Sequence, residues 1–169
     1  LNLESYLPRS KAWTWEVSLL QAESSSSRNA FAIAGGKLIF DTGFFKHLNP
    51  TDDQLAITTA TLSSMLLLDQ FRKRSEDLPL AAAFGFALLE AQKTGNAPDF
   101  TKINPRKQKD IFAADNLASN LLTQLGISLD EQIKWIEKSQ PLSPSSNPLT
   151  AGYPSAEERI NNLRHSLPK

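Results

Sequence analysis

Between Leu55 and Leu68 the chain reads LAITTATLSSMLLL, with apolar side chains on every side of a helical wheel. Thr51, Asp52, Asp53 and Gln54 precede this run as a capping box, in which the Thr hydroxyl and the Gln side chain satisfy the first orphan N–H groups of a helix. The pattern predicts a helix from residue 51 to about residue 74, carrying Leu55, Ile57, Leu62, Met65, Leu66, Leu67 and Leu68. A helix without a polar face is stable only when enclosed, so the remaining elements must surround it. With 169 residues, 40% of them hydrophobic, there is enough chain to do so. We expect one domain over residues 1–169, with strands at about 13–41 and helices at about 51–166.

The N-terminal part reads as β-structure. Residues 13–20 (WTWEVSLL) are aromatic and β-branched enough for a strand, and residues 23–28 (ESSSSR) form a polar connection. Residues 29–34 (NAFAIA), the pair Gly35-Gly36 and residues 37–40 (KLIF) give a hairpin, because a Gly-Gly pair accepts the positive φ values of a tight primed turn.

The rest reads as helix. Residues 80–92, rich in Ala and Leu, form one helix closed by Gly95 and Pro98. From Pro105 the spacing of Ile111, Ala114, Leu117, Leu121, Leu122 and Leu125 predicts another, ended by Gly126. Residues 128–131 (SLDE) and 155–158 (SAEE) are two further capping boxes, opening helices that carry Ile133, Trp135 and Ile136, and Ile160 and Leu163. The Pro- and Ser-rich residues 140–154 between them read as an irregular connection, and no internal repeat is visible.

Several functions are excluded by composition. Lys+Arg and Asp+Glu both number 18, so no overall field attracts nucleic acid. Without cysteine there is no disulfide, thiolate ligand or thiol nucleophile. The longest apolar runs are too short to span a bilayer, which predicts a soluble domain without a transmembrane segment. Because the chain begins at Leu1 rather than Met, a processed or trimmed form is the expectation.

Taken in order, these blocks resemble the M48 family of zinc metallopeptidases. Residues 29–45, NAFAIAGGKLIFDTGFF, are similar to a family hairpin with the pattern NAFALPGGYIFVTTGLL. Residues 54–66 stand where the family has ELAAVLAHEIGHV, residues 111–118 (IFAADNLA) where it has E-x-x-A-D-x-x-A, and residues 153–160 (YPSAEERI) where it has HP-x-x-x-x-R-I. The resemblance spans roughly residues 15–163. It implies an α+β, zincin-like fold: a small hairpin-based sheet packed on a helical bundle. It also implies an exported, periplasmic or membrane-associated setting.

The same resemblance places the family's zinc and catalytic residues on side chains that cannot replace them. Its first histidine falls on Thr61, its catalytic glutamate on Leu62, its second histidine on Met65, the remote glutamate on Ile111 and the last histidine on Tyr153. A peptidase zinc needs imidazole and carboxylate ligands and a glutamate base to activate its water. Asp115 keeps the Ala-Asp position, where the resemblance implies a partner for a ligand histidine that is absent here. It is expected to cap or pair locally, or to remain as a polar remnant of the cleft.

No substitute site stands out. His47 and His165 have no second histidine at helical spacing. Asp110 is one residue from the remote glutamate position, a rotation of roughly 100° on a helix, and reads as a solvated carboxylate. Thr58, Thr59, Thr61, Ser63 and Ser64 lack a nucleophile turn and a base, so their hydroxyls are expected to bond back to the helix.

Recognition without chemistry remains open to the chain. In the resembling peptidases the first hairpin strand pairs with extended substrate, a mode that needs backbone groups alone. Asn29, Ala30, Phe31, Ala32 and Ile33 retain it in one reading. In the other, the strand is covered, with Phe31 and Ile33 serving the core. The sequence therefore predicts a non-catalytic M48 homologue without metal or cofactor, binding a protein or peptide as an accessory subunit or chaperone-like module. The alternatives are a residual hydrolase with a noncanonical site and a purely structural subunit, its cleft filled by Leu62, Met65, Ile111 and Tyr153.

Overall fold

A computed structural model describes residues 8–21, 29–33, 35–68, 108–139 and 154–166. The expected helix at 80–92 and the connection at 23–28 lie outside the described residues. Among those described, the fold is mixed α+β, with five α-helices and a three-stranded sheet. A short 3-10 helix, Pro8–Ala12, leads into it.

The strands are β1 (Glu16–Leu20), β2 (Ala30–Ile33) and β3 (Lys37–Asp41), in the order β1-β3-β2. β2 and β3 form the expected antiparallel hairpin, and β1 lies parallel to β3 on its other side. Gly35 and Gly36 take φ of +92° and +87°, as the Gly-Gly pair suggested. The pairing of Ile33 with Lys37, however, is wider than a two-residue primed turn closes. Gly36 is doubly constrained. A Cβ there would sit 3.3 Å from both Trp13 Cβ and Trp15 Cδ2, and its carbonyl accepts the Glu16 N–H at 3.0 Å. That bond starts β1, which begins three residues later than the aromatic pattern suggested. Trp13 and Trp15 instead pack edge to face beside the turn, with centroids 5.7 Å apart.

The helices are α1 (Thr42–Leu48), α2 (Asp52–Leu67), α3 (Gln108–Gln124), α4 (Leu129–Ser139) and α5 (Ala156–Ser166). The sequence reading assigned no element to α1. Asp41 caps it, accepting the Phe44 N–H at 2.6 Å, and Asn49 closes it in the left-handed region that Asn tolerates. The predicted capping box of α2 is complete: Gln54 N–H donates to the Thr51 hydroxyl and Thr51 N–H to the Gln54 side chain. α2 is capped at Leu68, and residues 69–74, over which the sequence extends it, are outside the described set.

α3 ends in a Schellman motif. Gly126 at φ +79° lets its N–H reach the Thr123 carbonyl and the Ile127 N–H reach that of Leu122, while Ile127 and Leu122 are both buried in the core. α5 opens with the full reciprocal box between Ser155 and Glu158. The box expected at α4 forms by half: the Ser128 hydroxyl accepts the Glu131 N–H, but the Glu131 carboxylate turns outward to Lys134.

α2 is central, as its all-round apolar pattern requires. It packs on the sheet, on α3 and on α4. The main core joins Ala32, Leu38 and Phe40 of the sheet to Phe44 and Leu48 of α1, to α2 and α3, and to Trp135 of α4. Phe44 stacks edge to face on both Phe40 and Trp135. A second cluster, built on Ile133, Ile136, Ile160 and Leu163, joins α4 to α5. Among the described residues no helix is long and apolar enough to cross a membrane.

Candidate functional site

The positions singled out on α2 and α3 converge on the interior. Leu62 and Met65 of α2 and Ile111 of α3 are buried in one core with Leu66, Ala114 and Ala118. They lie there because α3 packs against α2, the helix that is apolar on every side. Burying these three aliphatic groups is favourable by about 1.5–3 kcal/mol each. A histidine or glutamate in their place would need partners that this apolar lining does not supply.

Two of the hydroxyls on α2 are spent on structure. Thr61 is half-buried and donates to the Ile57 carbonyl at 3.1 Å, and Thr58 donates to that of Gln54 at 3.1 Å. Thr58 also accepts the Trp135 indole N–H at 2.9 Å, which pins α4 to α2. Lys138 extends the same contact by reaching the Gln54 side chain and lying over the Trp135 ring. Ser64 on α2 and Ser119 on α3 differ, since their buried hydroxyls have no hydrogen-bond partner.

Asp115 does pair, but not locally. Arg159, 44 residues away on α5, donates from Nε to one carboxylate oxygen at 2.8 Å and from a terminal nitrogen to the other at 2.7 Å. The side chain of Asp115 is 2% exposed and that of Arg159 15% exposed. This bidentate pair ties α5 to α3. Beside it, Asn162 donates to Asn116 at 2.9 Å and Gln108 to Glu158 at 2.7 Å. Glu158 also accepts from the Ser155 backbone N–H and hydroxyl, and these bonds hold its carboxyl below the ordinary glutamate range. Sequence reasoning did not single out Arg159. The clue was its place in the block YPSAEERI, which also bears Glu158.

The remaining positions are dispersed. Tyr153 lies outside the described residues. Asp110 is half-buried in the first turn of α3. His47 is exposed at the end of α1, and exposed His165 places Nδ1 2.6 Å from the Asn161 carbonyl. Among the described residues, no three His, Asp or Glu side chains are grouped so as to hold a metal ion.

β2 is an edge strand among the described residues, and its register corrects one expectation. Side chains alternate along a strand, and here Ala32 and Ala30 face the core. Phe31 is half-buried on the opposite face, and Ile33 is 46% exposed. Phe31 and Ile33 therefore lie outside the core formed by the described residues, where Ala30 and Ala32 stand instead. Asp41 N–H donates to the Asn29 carbonyl at 3.0 Å, so 29 and 41 form a hydrogen-bonded pair. Antiparallel pairs alternate, which turns the N–H and C=O groups of Ala30 and Ala32 away from β3, where Ala30 is half-buried and Ala32 buried. Asn29 itself is fixed, its N–H bonded to the Asp41 carboxylate at 2.8 Å.

Compared with known proteins, the chain matches no family model, and no curated protein is significantly similar to it.

Proposed function

We propose that this chain is a non-catalytic relative of the M48 metallopeptidases that binds a protein or peptide, as an accessory subunit or chaperone-like module. The observation that carries the reading is the burial of Leu62, Met65 and Ile111 in one apolar core. These are the positions to which the resemblance assigns a base and metal ligands, and none of the three side chains can take those roles. The edge of β2 supports the binding half of the proposal. Ala30, half-buried, turns its backbone N–H and C=O away from β3 to the side an added strand would take, with Phe31 and Ile33 beside it as apolar contacts.

Chemically unfolded casein is a suitable probe. The purified chain is expected to retain casein without cutting it. Ala30→Pro removes one outward N–H at an edge position without breaking the ladder to β3, so it should weaken retention while leaving the melting temperature near the parent's. Stoichiometric zinc with chelator-sensitive cleavage of casein would overturn the proposal in favour of a residual hydrolase.

The filled interior also suits a purely structural subunit. In that case casein is not retained, and Ala30→Pro changes nothing.

A further inference from the structure

We draw no further inference here: the strongest candidate, the exposed apolar edge strand β1 with Val17 71% and Leu19 61% accessible, carries nothing because no feature of the described residues shows what covers it.

Discussion

Replacing Arg159 by Met keeps the length and apolar stem of the side chain but removes the guanidinium, leaving both Asp115 oxygens without their donors. Asp115 is 2% exposed, so water cannot substitute. Breaking a buried pair in this way costs about 3–5 kcal/mol. The converse change, Asp115→Asn, leaves behind an Arg159 that is 15% exposed and can reach solvent, so its cost is nearer 1–3 kcal/mol. Asp115→Leu with Arg159→Met removes both charges and should recover most of the loss, because an apolar replacement of a buried pair is often neutral or better. Against a total stability of about 5–15 kcal/mol the first loss is a large fraction. Urea unfolding followed by far-UV circular dichroism measures all three, with the slope checking that the transition remains two-state. The reasoning fails if Arg159→Met costs less than about 1 kcal/mol, or if the double variant is no more stable than it.

The packed interior makes a second prediction: Thr61→His, Leu62→Glu, Met65→His and Ile111→Glu together should melt far below the parent without metal, since each buried carboxylate costs several kcal/mol. Zinc should raise that melting point, and parent-like melting without metal would show that the interior is not closed. Gly126→Ala should cost about 1–2 kcal/mol in urea unfolding, a purely conformational penalty, because φ is +79° and no atom beyond its chain neighbours lies within 4 Å of the added Cβ. Glu158 has a lowered folded-state value, so its contribution is complete above the ordinary glutamate range near 4.3 and is lost as pH falls through the lowered value. An NMR titration of its carboxyl carbon should give a midpoint below about 4.3, and a midpoint above that would contradict the bonding at Ser155.

Local chemistry made most of the described elements readable. The box at Thr51, the box at Ser155 and the stop at Gly126 each depend on residues within a few positions, and each appears as expected. α1 was missed because seven residues with Gly43 in the first turn give no clear periodicity, and its stability comes from Asp41 and from Phe44 packing on Phe40 and Trp135. The parallel placement of β1 was hidden for a similar reason: it is a long-range pairing, and nothing in EVSLL states a direction. On the site, burial of Leu62, Met65 and Ile111 followed from their apolar character. The partner of Asp115 did not, because a bidentate ion pair between two helices leaves no periodic trace.

The described interior holds few polar side chains, and its two carboxylates and one amide are committed. Asp41 caps α1 and holds Asn29, Gln132 donates to the Ile127 carbonyl, and Asp115 receives Arg159. Ser64 and Ser119 are unpartnered, and Asp115, the carboxylate one helical turn before Ser119, is engaged on both oxygens by Arg159. Recognition by the described part of this chain would therefore fall to its surface, where side-chain chemistry is sparse but backbone groups are oriented. The outward N–H and C=O groups of Ala30 are held in place by the β3 ladder and by the Asp41 bond to Asn29, so an incoming strand would meet them already oriented. Preorganisation lowers the ordering cost of binding. Weakening it with Asp41→Ala should reduce casein retention even though Asp41 faces inward, whereas unchanged retention would mean that β2 is not the binding edge.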